Sequence, residues 1–162
     1  MTHGHRVGKP FPRPGAEERC PAGGSWPSGL SATSTGAEQH TPGKAHLALT
    51  LDGRTGTLAV HVQPRPSDNA AVAREREAFE NDTSGTLTHT PDGSSVLVRE
   101  TGASKTGGGP TLGWSVEVLH PDGTTVLTSE WNGAGEAQAL PGTPALTVDQ
   151  LKTIATASAW RH

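Results

Sequence analysis

Glu100 and Glu130 are the residues whose type and spacing most directly suggest chemistry. They end the two copies of an internal repeat. Pro91-Asp92-Gly93-Ser94-Ser95-Val96-Leu97-Val98-Arg99-Glu100 aligns with Pro121-Asp122-Gly123-Thr124-Thr125-Val126-Leu127-Thr128-Ser129-Glu130. Two carboxylates carried by matching hairpins could bracket a substrate, one as acid and the other as base or nucleophile. That chemistry requires both to share a cleft, with a histidine close enough to shift their pKa values. The plainer reading makes each a solvated strand-end carboxylate, and it is preferred here.

Eight histidines offer a second route. His46 and His61 fall on two consecutive strand-like runs. Pairing Leu51 with Leu58 sets His61 opposite Ala48 and makes His46 its diagonal neighbour, at roughly 7–8 Å. Two imidazoles can begin a zinc site, but no third ligand is evident. His3 and His5 sit near the amino terminus, where adventitious copper or nickel binding is the most they suggest. His89 and His120 precede the repeated turns and read as strand-end residues.

Other constellations fail on inspection. There is no Gly-x-Ser-x-Gly elbow, no His-Glu-x-x-His and no Cys-x-x-Cys. Gly43-Lys44 lacks the glycine a phosphate loop needs five residues earlier, since position 38 is Glu. Lys105-Thr106-Gly107 matches a β-lactamase triplet, but the chain has no Ser-x-x-Lys to accompany it. Asn81-Asp82-Thr83 is a glycosylation acceptor by pattern alone. No catalytic, cofactor-binding or metal residue is assigned, and no cofactor is expected.

Charge and cysteine usage narrow the partners. Thirteen Lys and Arg face sixteen Asp and Glu, for a net charge of -3. The basic residues are scattered and not interleaved with aromatics, so no nucleic-acid partner is expected. Cys20 is the single cysteine, which excludes an intramolecular disulfide. Glu17-Glu18-Arg19 precede it where a lipidation site needs small and apolar residues. No run approaches the roughly 18 apolar residues of a transmembrane helix. The first ten residues lack the apolar stretch of a secretory signal. Taken as written, the chain is expected in the cytoplasm.

The elements that must position these residues divide the chain at Lys44. Residues 1–44 contain 3 of the 26 Val, Leu, Ile and Phe, together with six prolines. That supply cannot offset an ordering entropy of roughly 1–2 kcal/mol per residue. The segment is read as a disordered Pro/Gly-rich tail, with Phe11 and Trp26 as its only large anchors. Residues 45–162 hold the other 23 and are read as a β-rich domain.

Within that domain, Leu47, Leu49 and Leu51 alternate along one run, as do Leu58, Val60 and Val62 along the next. Asp52-Gly53-Arg54-Thr55-Gly56 separates them as a turn. The two Pro-Asp-Gly sequences mark two further hairpins, because Pro presets φ, Asp bonds the turn backbone and Gly accepts positive φ. Residues 102–110 are too glycine-rich for an element and read as a mobile connection. Asn69 to Glu80 reads as a helix with Asp68 as cap and an Arg76–Glu80 pair at i,i+4. Thr147-Val148-Asp149-Gln150 is a capping box that starts a C-terminal helix over 148–158. Trp160 is expected to pack against the sheet.

These C-terminal motifs carry a resemblance. Pro91-Asp92-Gly93, Gly113-Trp114-Ser115-Val116-Glu117-Val118, Pro121-Asp122-Gly123, Asn132-Gly133 and the run from Pro144 to Ala155, ending at Trp160, resemble one known kind of domain. It is the extracytoplasmic C-terminal β-rich domain of uncharacterised actinomycete membrane-anchored and lipoprotein-like proteins. The resemblance covers about residues 45–162. It implies an extracytoplasmic setting and supplies no activity, cofactor or catalytic residue. Such relatives usually carry a membrane segment or lipobox, and often paired cysteines; neither feature occurs in these 162 residues.

The expectation is therefore a mainly β (α+β) domain of about six strands, an antiparallel meander or small sandwich, with a packed C-terminal helix behind a tail. Its expected role is non-enzymatic, as a cell-envelope interaction or sensing module whose partner is an unknown protein or envelope component. A carboxylate-dependent hydrolase built around the repeated hairpins is the competing class. A truncated fragment without independent function is the third.

Overall fold

The computed structural model describes residues 31–34, 43–101, 113–132 and 142–161. Seven strands form one open antiparallel sheet: β1 (Ser31–Ser34), β2 (Lys44–Leu51), β3 (Arg54–Gln63), β4 (Thr86–His89), β5 (Ser95–Thr101), β6 (Gly113–Leu119) and β7 (Thr125–Asn132). Their order across the sheet is β1-β2-β3-β7-β6-β5-β4. Helix α1 (Asn69–Glu80) lies in the crossover from β3 to β4, and α2 (Val148–Ala155) follows β7. The fold is mainly β as expected, with β4–β7 as the meander and no second sheet among the described residues. Neither helix is long and apolar enough to cross a membrane.

Two expectations about boundaries need correction. Ser31–Ser34 lie inside the segment read as a tail, yet they pair with Leu47–Thr50 of β2 as an edge strand. Backbone pairing to an existing strand requires no apolar side chain, so composition could not reveal it. The C-terminal helix ends at Ala155 instead of 158, and a 3₁₀ turn (Ser158–Trp160) follows. The Trp160 indole N–H donates to the Ile154 carbonyl at 2.7 Å, and its ring packs against the core cluster that the sheet and α2 share. His3, His5, Phe11, Cys20, Trp26 and residues 102–110 lie outside the described residues.

The first hairpin is tighter than the alternation alone indicated. Leu51 pairs with Arg54, so Asp52-Gly53 is a two-residue turn. Both turn residues have positive φ, 50° and 75°, the requirement of a type I′ turn. The shift from the expected register is four residues. Being even, it leaves every side chain on its expected face.

The repeated turns are superimposable in their bonding. Gly93 N–H donates to Thr90 O at 3.0 Å, and Gly123 N–H to His120 O at 3.0 Å. Asp92 accepts from Ser94 N–H at 3.1 Å, and Asp122 from Thr124 N–H at 2.9 Å. Both glycines take positive φ, 84° and 92°. These are three-residue hairpin loops with a glycine in the left-handed position.

One helix packs against part of each face of the sheet. On the first face, Leu49, Leu51, Leu58, Val60, Val96, Val116, Val118 and Val126 meet Leu146, Leu151, Ile154 and Ala155. The capping box is complete: Gln150 N–H donates to Thr147 Oγ1 at 3.2 Å, and Thr147 N–H to Gln150 Oε1 at 2.8 Å. On the second face, Phe79 of α1 closes a smaller cluster with Leu97, Leu119 and half-buried Leu87. Asp68 caps α1 by accepting from Ala70 N–H at 2.9 Å. Arg76 does not pair with Glu80; it donates to the Pro121 carbonyl at 3.3 Å and ties α1 to the second repeated turn.

The two turn glycines differ in what surrounds them, and this yields a stability prediction. A Cβ on Gly93 meets only the Pro121 ring at 3.7 Å, whereas one on Gly123 meets Arg65 Cγ at 3.1 Å and Val72 Cγ1 at 3.2 Å. Gly93→Ala is expected to cost about 1–2 kcal/mol, the left-handed backbone penalty alone. Gly123→Ala is expected to cost roughly 1 kcal/mol more, because α1 must also shift. Urea unfolding of both variants checks the difference; equal losses would contradict it.

Candidate functional site

The carboxylates of the repeat are separated by a strand and differ in exposure. Glu130 and Glu100 both register against Trp114, on either side of β6. Two strand spacings separate them, roughly 10 Å, with the Trp114 side chain between. Glu100 is exposed, whereas Glu130 is fully buried. The repeat equalises their local sequence, but β5 lies near the edge of the sheet and β7 at its centre.

Glu130 instead fastens the segment that leads into α2. Its two oxygens accept the Leu146 N–H at 2.9 and 3.1 Å. Arg54 donates to the Pro144 and Ala145 carbonyls at 3.3 and 3.2 Å, so the same segment is held from both its donors and its acceptors. Gly56 makes room for this carboxylate: a Cβ there would sit 3.3 Å from Glu130 Oε1 and 2.9 Å from Trp131 O. Burial pushes the Glu130 carboxyl up to about 7, against the pull of the Leu146 and Ala145 amides and of Arg54.

Two serine–histidine pairs flank the first repeated turn, one on each face. Ser94 Oγ lies 3.4 Å from His120 Nδ1, and His120 Nε2 lies 3.1 Å from the Ala155 carbonyl. A neutral imidazole satisfies both contacts by accepting from Ser94 and donating to Ala155. His120 follows the last residue of β6, the strand-end position expected, and is a fully buried pin for the end of α2. Burial, then the Arg161 charge, pushes its pKa down. On the other face, Ser95 Oγ donates to Glu80 and lies 3.3 Å from His89 Nδ1. His89 Nε2 lies 3.6 Å from Glu80 Oε2. This Ser–His–Glu grouping has the residues of a nucleophilic triad, but the serine is 2% exposed and its proton points at the carboxylate. It anchors the end of α1 and presents no accessible nucleophile.

Arg99 forms a third polar cluster. Its guanidinium contacts Asp82 and Glu117 at 2.7 Å each, and its Nε–H donates to Ser84 Oγ at 2.6 Å. Hydrogen bonds from Ser84, then Arg99, hold the Asp82 carboxyl down at about 2. One guanidinium thus meets two carboxylates, and the cluster fixes the α1–β4 connection to β5 and β6. Asp82 is the central residue of the Asn81-Asp82-Thr83 pattern.

What remains is the second face over β2, β3 and β7. A shallow groove there is lined by Lys44, His46, Ala59, His61, Leu127, Ser129 and Trp131. The described helices pack elsewhere, α1 over β5 and β6 and α2 on the opposite face. His46 registers against Ala59 and His61 against Lys44, so the two histidines are diagonal neighbours as expected, along the opposite diagonal. No group of three metal-ligating side chains occurs among the described residues. Sequence reasoning found the histidines but missed Leu127, Ser129 and Trp131, because their arrival depends on pairing β7 with β3. The alternation Leu127, Ser129, Trp131 was the available signal.

Among the described residues, the two buried titratable groups give opposite pH dependences. Glu130 binds its proton more tightly folded than unfolded, so its contribution is greatest below 4.5 and is lost as pH rises from 4.5 through about 7. His120 binds its proton less tightly folded, so its contribution is present above 6.5 and is lost as pH falls below that value. The stability of the wild type relative to Glu130→Gln is expected to decline between pH 4.5 and 7, then level off. Urea titrations across that range measure it; a flat difference would contradict the assignment.

No family model, curated protein or solved structure matches the chain.

Proposed function

We propose that this β-rich domain is a non-enzymatic cell-envelope interaction or sensing module, and that it binds through the groove over β2, β3 and β7. One observation carries the reading. The groove brings Lys44, His61 and half-buried Trp131 around Ala59 and Leu127. Tryptophan flanked by cationic and apolar side chains is the composition of binding surfaces, where a large ring supplies most of the contact energy. The polar groups that could do chemistry are spent elsewhere: Glu130 on Leu146, Ser94 on His120, Ser95 on Glu80. The envelope setting is the part of the proposal that follows from the resemblance in the C-terminal motifs.

Co-sedimentation with isolated actinomycete cell walls tests the reading. The wild type is expected to sediment with the walls, and Trp131→Ala to lose at least about 2 kcal/mol of binding, the scale of an interface hot spot. Circular dichroism of the variant should match the wild type. Turnover of chromogenic ester or glycoside substrates that Glu100→Gln abolishes would instead establish the hydrolase.

A further inference from the structure

We infer that residues 156–161 form an acid-released strap: docked, it keeps His120 neutral, and protonation of His120 releases it. The strap lies on the face opposite the groove, and the inference stands independently of the binding proposal. After α2 ends at Ala155, the Trp160 indole N–H returns to the Ile154 carbonyl at 2.7 Å, and the Arg161 guanidinium meets Asp92 of the first repeated turn at 2.8 Å. None of residues 156–161 is fully buried. Arg161 Nε is shielded from solvent without a hydrogen-bond partner, which weakens the hold. A chain end docked so lightly opens locally at lower cost than the sheet unfolds.

Beside the strap, His120 occupies a place built for a neutral ring. It is 0% exposed, with Nδ1 at 3.4 Å from Ser94 Oγ and Nε2 at 3.1 Å from the Ala155 carbonyl. Protonation removes the lone pair that accepts from Ser94 and sets two donors face to face. The surrounding charges add a direction. Arg161 opposes a cation at His120, whereas Asp122 and Asp92 favour one. Asp92 is engaged by Arg161, and hydrogen bonds from Thr90 and Ser94 hold its carboxyl far below the usual range, so it stays charged in mild acid. From α1, Arg76 donates to the His120 backbone carbonyl at 3.5 Å, a second positive charge. On α2, Lys152 lies 3.5 Å from exposed Asp149. Glu80 and His89 are engaged with Ser95 on the other face. Among these neighbours Arg161 alone belongs to the strap. Opening carries that charge away from the imidazole and admits water. A group that binds its proton less tightly closed than open shifts the equilibrium toward open as it protonates. The closed strap is therefore favoured above pH 6.5, and opening grows as pH falls below it. Global unfolding exposes Glu130 as well, whose pH dependence is opposite, so acid acts on the strap more strongly than on the fold.

The test is amide hydrogen exchange of the full chain by NMR at pH 6.5 and one unit below, each rate divided by its intrinsic value. The Trp160 and Arg161 amides donate to the Ala157 and Ser158 carbonyls. They are expected to lose protection about fivefold over that unit, and the β7 amides to lose less. In His120→Gln the loss should vanish. In Arg161→Gln, whose site is partly exposed, the His120 ring should titrate at a higher pH than in the wild type, with circular dichroism confirming the fold. Unchanged protection in the wild type, or the same loss in His120→Gln, would overturn the inference. An equal loss in β7 would overturn it too, since the event would then be global unfolding. If His120→Gln does not fold, the Arg161→Gln titration decides, and an unshifted His120 would reject the strap's role.

Discussion

Pairing of β3 with β7 is the constraint on which the rest of the molecule depends. Without it the described residues would form two separate hairpin systems, β1–β3 and β4–β7, each with a sheet edge exposed. The ladder joins residues 56–63 to residues 125–132. Its closure costs far more chain entropy than a two- or three-residue hairpin turn. That cost is offset on the first face, where Leu58 and Val60 are brought into one core with Val116, Val126 and α2. The same register sets Leu58 beside Glu130, so the carboxylate is carried into the centre of the sheet and must find buried donors. The Leu146 amide supplies them, and α2 is thereby positioned by the ladder it covers.

The second face shows what a thin apolar supply can and cannot do. Seven strands present two faces, and 26 Val, Leu, Ile and Phe side chains do not suffice to seal both. The first face takes most of them. The second closes only around Phe79, Leu97 and Leu119, where α1 is tied down by polar contacts: Arg76 to Pro121, Ser95 to Glu80. Over β2, β3 and β7 the groove is lined by short, basic and aromatic side chains and Leu127, and the apolar cluster that α1 closes lies over β5 and β6. The groove is thus the portion of the sheet that the core does not need.

Local chemistry was legible in the sequence, and long-range placement was not. Pro-Asp-Gly gave both repeated turns, because each is specified by three adjacent residues with known backbone demands. The Asp68 cap and the Thr147–Gln150 box were readable for the same reason. Alternation assigned faces correctly in the first hairpin even though the pairing was offset by four residues, since period 2 is blind to even shifts. β1 was missed because backbone pairing leaves no mark in composition. Helix α2 is shorter than expected because a capping box marks where a helix starts and not where it stops, and the Trp160 contact with Ile154 O requires the chain to turn back.

The two copies of the repeat make the same point about function. Their turns are alike, yet the residues around them have parted. Thr90 precedes the first turn and contacts solvent-side Asp92, whereas His120 at the equivalent place is buried against Ala155. Glu100 ends the first copy in solvent, and Glu130 ends the second under the α2 approach. A shared sequence fixed the shape of the hairpins, and strand position then divided their roles. Matching carboxylates in a repeat therefore argue for a common fold element, not for a catalytic dyad. A dyad needs two groups converging across one cleft, and in a single sheet residues at equivalent repeat positions lie side by side on one face, separated by the strands between them.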